Sequence, residues 1–302
     1  ALGYLVVRTA RPAEWDRFLT QVAGVMPAGR APDGAALYRI DDRPFRFRIE
    51  QGGDERLAAA AYEVGDAAEL AAVREKVIAA GRPVEDGSAE EAAARAVSAF
   101  FRTTDPAGNG LEFFHGDMRD DVPFVSPVGV SGFVTGEMGM GHAVFACPNF
   151  DECHDFYLSL GFRDTDFPRF RFTDDPADPG MGFAFMHADN ARHHSIAFAE
   201  MPVPPSACVH VMLQMRTMTD VGLCHDRMKA AGVTESASLG RHVNDQTFGF
   251  YMQTPSGFDL EIGYDSLEID PANWTTTAHL QPSEWGHEWA WQKAMKEQQA
   301  AQ

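Results

Sequence analysis

His142, His210 and Glu261 each interrupt a short apolar run with the composition of a buried strand: Met140-Gly141-His142-Ala143-Val144-Phe145, Cys208-Val209-His210-Val211-Met212-Leu213 and Phe258-Asp259-Leu260-Glu261-Ile262. A carboxylate on a core strand needs a compensating partner, because burying an unpaired charge is very costly. A divalent cation held by two imidazoles and one carboxylate supplies that partner, and this donor set, with positions left open, suits non-haem Fe(II). A single strand histidine is more often a hydrogen-bonded core residue than a ligand. The wide spacing of the trio matches no short ligand motif such as H-E-x-x-H. Chemistry therefore requires a fold that gathers three distant strands.

An internal repeat provides one. Leu2-Gly3-Tyr4-Leu5-Val6-Val7 parallels Met140-Gly141-His142-Ala143-Val144-Phe145, with Phe18 and Phe156 following at the same offset. Each strand leads into a helical stretch, Ala13 to Val22 and Phe150 to Leu160. Lys76 to Gly81 parallels Arg227 to Gly232, both closing a helix on a glycine suited to the left-handed cap. Asp105 to Glu112 parallels Thr254 to Glu261, a turn entering a strand in both places. Such self-similarity implies two halves of one architecture, each a strand, a helix and several strands repeated twice. The irregular stretch Gly116 to Gly136 reads as their connection. The first half has Tyr4, approximately Ala59, and Glu112 where the second has His142, His210 and Glu261. We therefore expect a metal-free structural domain over 1–130, the chemistry over 131–285, and a helical tail over 286–302.

Further polar residues lie close to the trio. Arg192 to Phe198 reads as a strand entered by His193 and His194, of which alternation would turn only one inward. Leu239 to Asp245 reads as a polar loop, followed by the aromatic strand Phe248 to Met252 and the turn at Pro255-Ser256-Gly257. That hairpin would carry Tyr251, His242 and Asp245 towards Glu261, although His242 and Asp245 could equally order their own loop and Tyr251 could be a satisfied core aromatic. Trp285, Trp289 and Trp291 suggest a docking helix covering apolar surface, with a frayed tail from Gln292. The acidic stretch Asp174 to Gly182 reads as a surface loop without the carboxylate spacing of an EF-hand.

Composition narrows the partners. With 25 Lys and Arg against 44 Asp and Glu, the net charge of −19 argues against binding along a nucleic-acid backbone. No apolar run has the length of a membrane span, and the start lacks a signal-peptide pattern. Cys147, Cys153, Cys208 and Cys224 form no C-x-x-C pair and read as reduced thiols of a cytoplasmic protein.

The segments Gly139 to His142, Ala191 to Ser195, Val209 to Met212, Leu239 to Asp245 and Phe250 to Glu261 resemble, in order, the signatures of two-domain extradiol catechol dioxygenases. The likeness is nearest to enzymes that cleave 2,3-dihydroxybiphenyl and steroid-derived catechols. It runs from Leu2-Gly3-Tyr4 to Trp285-Gly286-His287. It implies an α+β vicinal-oxygen-chelate fold, the glyoxalase/bleomycin-resistance type, with four βαβββ modules forming two incomplete barrels. By motif position, His142, His210 and Glu261 would hold Fe(II), with Mn(II) the other metal this set accepts. His194 would move protons, and Tyr251 would hydrogen-bond a catechol oxygen with His242 and Asp245 in support. Asn244, Val144, Phe185 and Met212 would line the pocket. The substrates would be a catechol and O2, and the likeness implies a homo-oligomer, as large as an octamer. The same fold also serves O2-independent glyoxalase- or isomerase-like metalloenzymes, which generally add a second metal carboxylate, and non-catalytic ligand-binding modules. Val209 departs from family members that carry a second histidine before the second ligand.

Overall fold

Apolar strands and capped helices alternate along the chain as the repeat requires. The computed structural model describes residues 1–171, 175 and 177–293. The first half comprises β1 (Leu2–Thr9), α1 (Pro12–Arg17), β2 (Met26–Arg30), β3 (Ala36–Arg39) and β4 (Phe47–Gln51). It continues with β5 (Arg56–Glu63), α2 (Ala67–Ala79), β6 (Glu85–Asp86), α3 (Ala89–Ala94), β7 (Ala99–Thr104) and β8 (Gly110–His115). The second half begins with β9 (His142–Ala146), α4 (Phe150–Leu160), β10 (Arg163–Asp166), β11 (Arg169–Phe170), β12 (Met181–His187) and β13 (Ile196–Ala199). Then come β14 (His210–Gln214), α5 (Met218–Ala230), β15 (Glu235–His242), β16 (Phe248–Gln253), β17 (Asp259–Tyr264) and β18 (Ser283–Gly286). With α3, β11 and β18 as additions, this is a βαβββ unit four times over, the expected α+β fold.

The strands form two mixed sheets, ordered β2-β3-β4-β1-β5-β8-β7-β6 and β10-β12-β13-β9-β14-β17-β16-β15-β18, with β11 paired to β12. In each sheet the opening strands of two modules meet antiparallel at the centre, β1 on β5 and β9 on β14. Each opening strand also pairs in parallel with the last strand of its own module. Local sequence sets the helix ends. Asp66 caps α2 by accepting from the amides of Ala68 and Glu69, and Thr217 caps α5 through the amide of Asp220. Gly81 and Gly232, at φ +70° and +67°, follow α2 and α5 in the left-handed conformation their parallel sequences suggest.

Register makes the repeat exact. Tyr4 pairs with Ala61 and Ala61 with Glu112, while His142 pairs with Met212 and Met212 with Glu261. Ala59 thus occupies the place of His210. In the first half Glu112 is held by a guanidinium: Arg95 donates to both its oxygens at 2.8 Å, and the Tyr4 hydroxyl donates at 2.6 Å. One apolar core runs through both halves, and Trp15 joins them by donating to the Ser256 hydroxyl while packing on Phe258.

Three expectations need correction. The strand at Arg192–Phe198 begins only at Ile196, so His193 and His194 sit on irregular backbone before it; alternation does not apply, and both are buried. Leu239 to His242 belong to β15, because Gly240 and Arg241 pair with β16 on one side and Gly240 to His242 with β18 on the other, which leaves the loop only from Val243. Trp285 lies on β18, half exposed, and not on a docking helix. Residues 294–302 of the expected tail, and part of the acidic stretch 174–182, lie outside the described residues.

Candidate metal centre

His142 opens β9, His210 opens β14, and Glu261 is the third residue of β17, on three strands adjacent in the sheet. His142 Nε2 lies 3.3 Å from His210 Nε2 and 3.3 Å from Glu261 Oε2, and His210 Nε2 lies 3.4 Å from that same oxygen. Three acceptor-capable atoms converge on one point, while the other carboxylate oxygen, Oε1, is buried without a hydrogen-bond partner. Two neutral imidazoles could each donate from Nε2 to that oxygen, but their two hydrogens would then face each other across 3.3 Å. A hard or borderline divalent cation satisfies the arrangement. Donors on one face of a metal at bonds of roughly 2.1 Å stand about 3 Å apart, close to the separations here. The residues therefore fit a metal. Burial lowers His142, overriding the opposing pull of Glu261, as a ligand lone pair requires. Burial alone would raise Glu261, but His142, His210 and His242 hold its carboxyl well below the usual range.

Among the described residues one other group could hold a metal, Asp105 with Cys147 and Cys153. Its carboxylate already accepts from the Asn109 amide and side chain and from the Tyr157 hydroxyl. That carboxylate is thus already engaged in a structural network. All four cysteines are free and buried.

The trio opens into a cavity of about 280 Å³. Its polar end carries His194, His242, Tyr251, Asn244 and Asp245, and its far walls are apolar. His194 stacks on His142 at 3.9 Å between ring centres and meets the edge of Phe185. Burial, then the neighbouring imidazoles of His142 and His193, push its pKa well below the ordinary value. His194 is thus neutral, with Nε2 unpartnered. On the opposite side the Tyr251 hydroxyl lies 2.7 Å from His242 Nε2, and His242 Nδ1 donates to the Pro282 carbonyl at 2.9 Å. Burial would lower His242, but Glu261 and Asp245 outweigh it and raise it to about 9. A cation bound at Glu261 would cancel much of that lift. Burial, followed by Glu261, raises Tyr251 and keeps the phenol protonated.

Of the eleven residues singled out in sequence, ten line this cavity: His142, His210, Glu261, His194, Tyr251, His242, Asn244, Val144, Phe185 and Asp245. The Asp245 carboxylate also accepts from the Thr247 amide and so orders its own loop. Met212 does not line the cavity; it is buried on the metal-bearing sheet, near Gly263. Sequence reasoning missed most of the walls: Phe170, Met181, Phe183, Pro282, Trp289 and Trp291. Met181, Phe183 and Phe185 alternate along β12, a period-two signal that could have placed all three on one face. Trp289 packs 4.9 Å from Tyr251, so this indole faces the site instead of covering outer surface.

Residues 2–52 match the family model "Dihydroxybiphenyl dioxygenase BphC D1", and residues 139–262 match "Glyoxalase/Bleomycin resistance protein/Dioxygenase superfamily". The chain is 39% identical over 294 residues to an iron-dependent extradiol dioxygenase of Rhodococcus jostii, covering 96% of this chain and 97% of the relative. It is 39% identical over 298 residues to a biphenyl-2,3-diol 1,2-dioxygenase of Metapseudomonas furukawaii, covering 98% and 96%. Among solved structures, the halotolerant catechol dioxygenase BphC superposes with a TM-score of 0.86 at 29% identity, covering 96% of this chain and 94% of that one.

Proposed function

Since the chain belongs to the extradiol ring-cleaving dioxygenases, we propose that it opens the ring of a bulky aryl-substituted catechol, such as 2,3-dihydroxybiphenyl, at Fe(II) held by His142, His210 and Glu261. The observation that carries this reading is the convergence of two imidazole nitrogens and one carboxylate oxygen, 3.3–3.4 Å apart, at the floor of a largely apolar cavity. Ferrous iron in such a set supplies a Lewis acid for both catechol oxygens and a route for electrons to O2.

The chain's own side chains do the rest. His194, neutral and with Nε2 free, takes the proton of a catechol hydroxyl and later returns it. Tyr251, held by His242, donates to a catechol oxygen and fixes the ring's orientation. Asn244 and Asp245 complete the polar end. Val144, Phe185 and the other apolar walls seat the substituent and keep bulk water away. A cavity of about 280 Å³ beside the trio supports an aryl-sized substrate over a bare catechol. Manganese shares the ligand preference, and family likeness favours iron. The free, buried thiols accord with a reducing cytoplasm.

The test is anaerobic purification with metal analysis, followed by oxygen uptake on adding 2,3-dihydroxybiphenyl. The expected result is one iron per chain, one O2 consumed per catechol, and a yellow ring-opened product. Turnover without O2 consumption would place the chemistry with glyoxalase-like proton transfer, and catechol binding without metal would leave a binding module.

A further inference from the structure

Asp166, the last residue of β10, is fully buried, and neither carboxylate oxygen has a hydrogen-bond partner among the described residues. A buried carboxylate in that position is costly unless a charged or polar neighbour offsets it. Among the described residues, two groups face it as ion-pair partners: His193 Nε2, 3.3 Å from Oδ2, and His279 Nε2, 3.8 Å from Oδ1. His193 is itself buried, with Trp274 against its ring and its carbonyl accepting from the Thr165 hydroxyl. Its other nitrogen, Nδ1, lies 3.0 Å from Nδ1 of His194. The far nitrogen of His194 is the unpartnered one at the cavity. The three side chains thus form a row: carboxylate, imidazole, imidazole, cavity.

We propose that Asp166 and His193 are positioning residues that hold His194 in the tautomer needed to accept a proton from the catechol. The deduction is a count of hydrogens. A carboxylate only accepts, so a His193 ring carrying a single proton places it on Nε2, the nitrogen 3.3 Å from Asp166 Oδ2, a close approach that is not an aligned hydrogen bond. His193 Nδ1 is then a lone pair and must accept from His194 Nδ1–H. That leaves His194 Nε2 bare, directed at the substrate. When the catechol O–H breaks and Nε2–H forms, the new positive charge lies next to a row that ends in a buried carboxylate, so no solvent rearrangement is needed to accommodate it. This row has the logic of a carboxylate orienting a catalytic imidazole, extended by one ring. It rests on the reading of His194 as the acid–base residue.

The test compares Asp166→Asn, Asp166→Glu and His193→Gln with His194→Gln in the iron-loaded enzyme. An asparagine amide can donate to His193 Nε2, reverse the row and put a hydrogen on His194 Nε2. Asp166→Asn should therefore lower kcat by about 10²-fold, the scale of losing a general base. Iron content, KM and anaerobic catechol affinity should stay within about threefold. Asp166→Glu, which restores an acceptor-only group, should recover most of the lost kcat. Should Asp166→Asn fail to fold, His193→Gln must show the same split between kcat and KM. A wild-type kcat in the positioning variants, with His194→Gln slow, would overturn this inference alone. A loss that follows weakened catechol binding or iron content would also overturn it. A wild-type rate in His194→Gln would remove the reading on which it rests, and the inference with it.

Discussion

Replacing Arg95 by Met isolates what the first half contributes. Arg95 and Glu112 are 4% and 2% exposed and share two hydrogen bonds of 2.8 Å. Removing one partner of a buried pair typically costs about 3–5 kcal/mol, because the other charge is left uncompensated. Here the lower end applies. Tyr4 still donates to Glu112, and Arg102 Nε stays 3.3 Å from it. Methionine also refills part of the space that the guanidinium occupies over Phe100. We expect a loss of about 3 kcal/mol, read as a drop of about 1 M in urea midpoint for a slope near 2–3 kcal/mol per molar. Replacing Glu112 by Met as well should restore all but about 1–2 kcal/mol, since no charge is then stranded. None of these residues lines the cavity, so iron content and kcat/KM should remain within twofold. Equilibrium unfolding of the iron-loaded single and double variants checks the ledger. An unshifted midpoint in Arg95→Met would refute the buried-pair argument, and lost iron would refute the expectation that a pair away from the cavity leaves the metal centre unchanged.

Four shorter predictions concern the second half. His210→Ala should lose iron and all ring cleavage; full activity with stoichiometric metal would contradict the ligand assignment. His194→Gln should keep iron and bind catechol anaerobically, yet turn over at least ~100-fold more slowly. Trp289→Ala should raise KM for 2,3-dihydroxybiphenyl several-fold more than for unsubstituted catechol, because the indole lies against Tyr251 at the cavity wall; equal changes for both substrates would count against it. Gly141→Ala should cost several kcal/mol in thermal or urea unfolding, since the glycine is at φ +144° and an added Cβ would lie 1.8 Å from the Met212 carbonyl oxygen, at the β9–β14 seam.

The parts of the fold that could be read from sequence are those encoded locally and twice. Paired apolar strands, glycine caps at Gly81 and Gly232, and turns at Asp105 and Thr254 each recur, so the modules were visible without long-range information. The trio was visible because a polar residue in an apolar run is conspicuous. What escaped depends on distant chain crossing a site. Asp166 sits in the polar run Arg163-Asp164-Thr165-Asp166 and looks exposed until the segment carrying Trp274, Thr277 and His279 covers it. The polar residues around His242 read locally as a loop, since nothing near them announces β18, which arrives about forty residues later and pairs His242 with Ser283. Trp289 and Trp291 carry an outer-surface pattern, yet both border the cavity, Trp289 against Tyr251 and Trp291 still half exposed at its rim.

The two sheets hold the same rung differently, and that difference separates their histories of assembly. Tyr4–Ala61–Glu112 closes on the tethered guanidinium of Arg95, whereas His142–Met212–Glu261, on the proposed reading, would close on an ion. Each barrel is in effect a socket for one positive charge. The first fills its socket from its own chain and can mature at any ion concentration. On the proposed reading the second would collect its occupant from solution, and its completion would be governed by supply.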